Sequence, residues 1–275
     1  MKDSEGRNSS KEKIVSKTNK LIGLTFDDIS DAVLDSDSTK TKGRLGEIVE
    51  AYFGIENNSS SAPDFIDENI ELKVAPLKIS YGEYLRPKWR IGLSMVDYHE
   101  IAQEESWRDV SRISKKISNL LIIWYLYDDE VSKKEQEIVW ATFWEPSEEI
   151  SEKIQKDFEN IKQRVENGVH LSQSEIGNDI LTVYPKHHST FNKEDPSASS
   201  EGATVAVDAH PTLDYAEQRG WCITGRGLVY VIADASNVDI ENAYGNKYVP
   251  KNEMIGEKNP IDLDTGPDSS NHTNK

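Results

Sequence analysis

Apolar positions between residues 44 and 53 recur with helical spacing: Leu45, Ile48, Val49, Tyr52 and Phe53 stand at i, i+3, i+4, i+7 and i+8. Gly54 follows as a stop, so the pattern predicts a helix over Arg44–Phe53. The period then changes to two. In Asn69–Ala75, Ile70, Leu72 and Val74 alternate with Glu71, Lys73 and Ala75, which predicts a half-buried strand, with Arg90–Met95 as its expected hairpin partner. Upstream, Ser16–Asp35 reads as one or two helices carrying Leu21, Leu24, Phe26 and Ile29 on the apolar side.

Downstream, Asp109–Ser118 has helical character, and Leu120–Tyr127 is apolar enough for a strand buried on both faces. Glu137–Trp144 is a further strand. Ser147 is placed to cap a long amphipathic helix with Ile150, Ile154, Phe158, Ile161 and Val165 on one side and Gly168 at its end. Ile180–Tyr184 and Gly227–Ile232 are strand or core-helix segments. The polar stretch Pro185–Tyr215 between them, with Pro196 and Pro211, is long enough to suggest a functional or disordered loop.

Composition refines this outline at the ends. Residues 1–20 and 251–275 are dominated by Lys, Ser, Asn, Asp and Glu and offer little apolar surface against the cost of ordering a chain. Both are expected to be disordered tails around one domain over residues 21–250. No apolar run approaches the roughly 20 residues of a membrane span, and the N-terminus lacks the apolar stretch of a signal peptide. A single cysteine, Cys222, excludes an internal disulfide and fits a reducing cytoplasm. Between Trp221 and Ile223 it reads as a half-buried structural thiol rather than a nucleophile.

The net charge of −17 over 275 residues argues against indiscriminate nucleic-acid binding, which needs clustered cations. Local clusters do exist. Arg86, Lys88 and Arg90 form one, and Arg108, Arg112, Lys115 and Lys116 another; taken alone, each is better read as a solvated face.

The chemistry concentrates in Pro63-Asp64 and Glu71-Leu72-Lys73. On a strand, Glu71 and Lys73 project to the same face while Ile70, Leu72 and Val74 bury the other. Asp64 enters just before. Two carboxylates and an ammonium can then converge, as phosphodiester hydrolysis requires: hard oxygen donors hold a divalent cation that activates water, and a lysine positions the water or offsets charge at phosphorus. On the preceding helix Glu50 borders the apolar stripe and can face this group, whereas Glu47 points away from it.

The run Lys42-Gly43-Arg44-Leu45-Gly46-Glu47-Ile48-Val49-Glu50-Ala51-Tyr52-Phe53-Gly54, then Asp64, then Ile70-Glu71-Leu72-Lys73-Val74-Ala75-Pro76 resembles the MutH mismatch-repair nicking endonucleases and the Sau-type restriction enzymes that cut at GATC. The resemblance implies an α/β fold, a mixed central sheet flanked by helices in the restriction-endonuclease-like PD-(D/E)xK architecture. It also implies a catalytic set of Glu50, Asp64, Glu71 and Lys73, with Mg²⁺ held by Asp64, Glu71 and Glu50. Lys42, Lys116, Lys186 and Arg219 are the implied DNA contacts: Lys115-Lys116-Ile117 precedes the apolar strand, Tyr184-Pro185-Lys186 leads into the recognition loop, and Arg219-Gly220-Trp221 resembles a later turn.

The sequence departs from the family where it would read DNA. Tyr184 stands where an arginine is expected, the loop Lys186-His187-His188-Ser189-Thr190 lacks small residues, and Thr224-Gly225-Arg226-Gly227 replaces expected lysines. His187-His188 has no Cys or acidic partner at a convincing zinc spacing. The leading expectation is a Mg²⁺-dependent type II restriction endonuclease acting on double-stranded DNA, pairing as a homodimer on its site. A repair nickase and a catalytically inactive DNA-binding module are the alternatives.

Overall fold

A computed structural model describes residues 3–34, 45–55, 62–80, 84–171, 178–186, 190–235 and 249–250. The element order is α1 (Asp3–Asn19), α2 (Phe26–Leu34), α3 (Leu45–Phe53), β1 (Glu71–Ser80), β2 (Tyr84–Pro87), β3 (Ile91–Met95), α4 (Tyr98–Gln103) and α5 (Ser111–Ile117). It continues with β4 (Leu120–Leu126), β5 (Ile138–Trp144), α6 (Glu148–Glu166), β6 (Leu181–Pro185), β7 (Arg219–Ile223), α7 (Gly225–Ala235) and β8 (Val249–Pro250). The result is a mixed α/β fold with helices against a mixed sheet, as expected.

The main sheet has the order β5-β4-β1-β2-β8. Strand β1 runs parallel to β4 and antiparallel to β2, and β4 runs antiparallel to β5. The sequence Leu-Leu-Ile-Ile-Trp-Tyr puts β4 inside the sheet, between β5 and β1, because both of its faces need cover. Leu120, Ile122 and Trp124 enter the core shared with α6 and α7, while Leu121, Ile123 and Tyr125 enter the core shared with α2 and α3. The helix α6 begins at Ser147, whose hydroxyl accepts from the Ile150 amide, and buries Ile150, Ile154, Phe158, Ile161 and Val165, as the spacing predicts.

A second sheet has the order β3-β7-β6. This corrects one pairing. Ile91–Met95 is not the hairpin partner of β1; that partner is the short β2, and Ile91–Met95 pairs with β7. Alternation assigns a strand but not its neighbour, and here the chain changes sheet across Lys88–Arg90. Arg219-Gly220-Trp221 likewise opens a fully buried strand rather than a turn.

Within residues 1–20, expected as a disordered tail, helix α1 covers Asp3–Asn19. Ile14, Val15 and Thr18 are buried, Leu21 follows in the same core, and the Tyr52 hydroxyl donates to the Lys17 carbonyl at 3.2 Å. A few apolar side chains on one helix face suffice once α2 and α3 cover them, which composition averaged over twenty positions hides. The expected tail 251–275 lies outside the described residues. Among the described residues, no helix is long and apolar enough to cross a membrane.

Candidate active site

Strand β1 is paired with β4 from Glu71 to Leu77, in a register from Glu71–Leu120 to Leu77–Leu126. On its other edge β2 pairs only from Leu77 to Ser80, so the first half of β1, with Glu71 and Lys73, has an open edge among the described residues. Leu72 packs with Ile48 and Val49 of α3, whereas Ala75 and Leu77 join the opposite core. By strand alternation Glu71 and Lys73 share the face of Ala75 and Leu77.

A tight turn brings Asp64 alongside. Phe65 and Ile70 exchange backbone hydrogen bonds at 2.9 and 3.1 Å around the turn Ile66–Asn69. Asn69 closes it at φ 54°, a left-handed conformation that asparagine tolerates better than most residues. Oδ2 of Asp64 then accepts from the Leu72 amide at 2.8 Å, the amide that lies between Glu71 and Lys73.

Glu71 is the centre of the arrangement. It is 1% exposed, and both carboxylate oxygens are engaged: Oε1 accepts from Lys73 Nζ and Oε2 from Lys116 Nζ at 2.6 Å. Lys116 also donates to the Ala62 carbonyl at 2.7 Å and thereby ties the segment before Asp64 to the strand. Its position follows from α5, where Ile113 and Ile117 are buried and Lys116 lies in the last turn, and from the Glu71 amide donating to Asn119 just beyond the helix. Burial pushes the Glu71 carboxyl above the ordinary glutamate range; Lys73 and Lys116 pull it down, and Asp64 pushes it up.

Glu50, half-buried on α3, is raised too, first by burial and then by the charge of Asp64, with smaller contributions from Glu47 and Glu71 against the lowering effect of Lys73. Three carboxylates that each oppose ionisation of another are what a divalent cation relieves. The structure thus brings Glu50, Asp64, Glu71 and Lys73 into one electrostatic group. Glu47, expected in solvent, is half-buried instead.

Among the described residues, no group of three or more His, Cys, Asp and Glu is close enough together to hold a metal ion. Mg²⁺ does not need one. It usually keeps several waters and takes one or two carboxylates plus substrate phosphate oxygens. Asp64 and Glu71, joined about the Leu72 amide, supply hard oxygen donors of that kind, so the residues present fit the ion, with Glu50 beside them.

Two of the expected DNA contacts, Lys116 and Arg219, are buried and paired with carboxylates. Lys116 is 7% exposed, and its ammonium donates to Glu71 and to the Ala62 carbonyl. Arg219 is 3% exposed and paired with Glu217, because the first residue of β7 points inward. Lys186 is exposed at the end of β6, as a DNA contact must be, and donates to the Tyr184 hydroxyl at 2.8 Å. Lys42 and His187-His188 lie outside the described residues. Cys222 is fully buried, and burial pushes its thiol up to about 12, which agrees with a structural role. Sequence reasoning missed the pairing of Lys116 with Glu71; the position of Lys116 just before the apolar strand was the available signal.

Comparison with known proteins bears on the same segment. A family model described as "DNA mismatch repair enzyme MutH" matches residues 53–157, a span that contains Asp64, Glu71, Lys73 and Lys116. A DNA mismatch repair protein MutH from Shewanella woodyi is 21% identical over 213 residues, covering 76% of this chain and 85% of the relative. One of the same name from Vibrio cholerae is 22% identical over 181 residues, covering 65% and 79%. The Haemophilus ducreyi protein of that name is 25% identical over 159 residues, covering 57% and 68%.

Proposed function

Starting from the MutH family of PD-(D/E)xK nucleases, to which this chain belongs, we propose that the protein is a Mg²⁺-dependent DNA endonuclease of the mismatch-repair type, cutting one strand per event. The observation that carries the reading is the junction of Asp64 and Glu71 about the Leu72 amide, with Lys73 and Lys116 on the two oxygens of Glu71. The names of the relatives support a repair nickase over the type II restriction enzyme that the sequence first suggested. A complete carboxylate and lysine set argues against an inactive binding module.

Bound Mg²⁺ would supply Lewis-acid polarisation of the scissile phosphate and a water of lowered pKa. Asp64 and Glu71 would hold it, and the Leu72 amide fixes the orientation of Asp64. Lys116 favours the ionised form of Glu71 and holds it in place from behind. Lys73, on the exposed side of the same carboxylate, orients the attacking water and offers positive charge to the phosphoryl oxygens as the in-line displacement proceeds. Glu50 adds a third negative charge, which strengthens cation binding. The phosphorus–3′-oxygen bond breaks, leaving a 3′-hydroxyl and a 5′-phosphate.

One such centre addresses one phosphate, and the two strands of a duplex have opposite polarity. A single chain therefore nicks, whereas a double-strand cut calls for two chains related by a two-fold axis on the DNA. The test is supercoiled plasmid incubated with purified protein and Mg²⁺, alone and with a mismatch-repair activator. Accumulation of open circles, stimulated by the activator, supports the nickase. Prompt linear product without a partner identifies the restriction enzyme and a homodimer on the site. No product under any condition, with DNA still bound, identifies the binding module. A chromosomal DNA substrate would place the protein in the cytoplasm.

A further inference from the structure

The segment where the chain passes from the first sheet to the second carries two cations, each laid on an aromatic ring. The Lys88 ammonium is 2.8 Å from the centroid of the Tyr127 ring, and the Arg90 guanidinium is 4.5 Å from that of Tyr184. Between them Trp89 stands 51% exposed. The Lys88 amide donates to the Pro76 carbonyl at 2.9 Å, so this crossing is fixed on β1 three residues beyond Lys73. At ~3.3 Å per strand residue that is ~10 Å from the candidate centre, a reach of about three base pairs along a duplex.

The Tyr184 ring has a seat built for it. Tyr184 is opposite Gly220 in the β6–β7 register, and Gly92 of β3 lies on the other side of β7. A Cβ on Gly92 would come within 2.7 Å of the Tyr184 hydroxyl, and one on Gly220 within 3.1 Å of its ring. Two strands have given up side chains beneath one tyrosine. Lys186 bonds the hydroxyl, the exposed Arg90 lies against the ring, and Gly220 would also meet the Lys186 side chain at 3.3 Å. The strand β3 is in turn linked to the helix that carries Lys116, through Ser94 Oγ donating to the Arg112 carbonyl at 2.9 Å.

We propose that Arg90, held against the Tyr184 ring that is seated over Gly92 and Gly220, reads a base edge of the DNA target and thereby sets part of its sequence preference. This rests on the endonuclease reading above. A phosphate can be met by any mobile cation, and Lys186 beside the ring is suited to one. A guanidinium supported by a seated ring is different: its N–H groups form a planar fork, the geometry for bidentate donation to the two acceptors of guanine in the major groove. A rigid support is needed only where orientation carries information. Arg90 and Lys186 come from different elements, so the reading surface is assembled by the second sheet.

The test maps cut sites on a randomised duplex library with Mg²⁺, and affinities in Ca²⁺, for the wild type, Arg90→Lys, Tyr184→Leu, Tyr184→Phe and Gly92→Ala, with thermal melts as a check on folding. Arg90→Lys keeps the charge and is expected to lose about tenfold or more of the discrimination at one base position while non-specific affinity stays within about twofold. Tyr184→Leu and Gly92→Ala should lose discrimination at the same position, and Tyr184→Phe should retain it. Arg90→Lys with wild-type preferences at every position overturns the proposal. So does a uniform loss of affinity across all sequences, which would make Arg90 a phosphate contact. A wild type that neither cuts nor binds DNA overturns the endonuclease reading together with this one, whereas a wild type that cuts, with variants of unchanged preference, removes this one alone.

Discussion

The ammonium of Lys116 lies 2.6 Å from Oε2 of Glu71, and both side chains are almost wholly inside the protein. A pair so placed holds two elements, the end of α5 and the start of β1, by charge rather than by apolar contact, and Lys73 closes on the remaining oxygen of the same carboxylate.

Removing Lys116 should therefore be felt first in folding. Lys116→Ala leaves a buried carboxylate with one ammonium instead of two, and the expected cost is on the order of 3 kcal/mol. Urea denaturation measures it. Combining Lys116→Ala with Glu71→Gln should recover part of the loss. Unchanged stability with a tenfold weaker DNA affinity would return Lys116 to the role of phosphate contact.

Lys73 is the more exposed of the two lysines, its side chain at 21% against 8% for Lys116. Lys73→Ala should lower single-turnover cleavage by about a hundredfold or more, as loss of one electrostatic contact to the reacting group does. Affinity for DNA in Ca²⁺ should stay within a fewfold. Near-normal cleavage by this variant would remove Lys73 from the chemistry.

Asp64→Asn keeps the shape of the side chain and its hydrogen bond from Leu72 but gives up a charge. Calorimetric titration with Mn²⁺ should show binding at least tenfold weaker than in the wild type, with cleavage lost in parallel. An unaltered isotherm would place the cation elsewhere.

The raised carboxyls give a pH signature. The folded-state values of Glu50 and Glu71 lie above those of the unfolded chain, so between the two values the folded protein binds more protons. Their contribution is unfavourable at neutral pH and is relieved as pH falls through the raised values toward the ordinary glutamate value. Without divalent cation, the melting temperature of the wild type minus that of Glu50→Gln should increase from pH 7 to pH 5. Added Mg²⁺ should stabilise the wild type at pH 7 and flatten this dependence. A difference independent of both pH and Mg²⁺ would mean that Glu50 is simply solvated.

The sequence by itself determined the elements that depend on local pattern. The period of 3.6 around Ile48 and Val49, the alternation at Ile70–Val74 and the continuous apolar run of β4 each have one economical way to bury their side chains, and the structure adopts it. The acid-x-Lys spacing likewise determined that Glu71 and Lys73 share a face. Tertiary structure decided what local pattern leaves open. Which strand pairs with Ile91–Met95 depends on a change of sheet at Lys88–Arg90, and no property of that strand alone encodes it. Whether Arg219 and Lys116 face solvent or a buried carboxylate depends on residues one strand or one helix away, Glu217 and Glu71. The helix α1 is ordered where composition predicted a tail, because the surface that covers Ile14 comes from other helices. A cation's role is set by the charge it meets in space, and that partner is chosen only when the chain has folded.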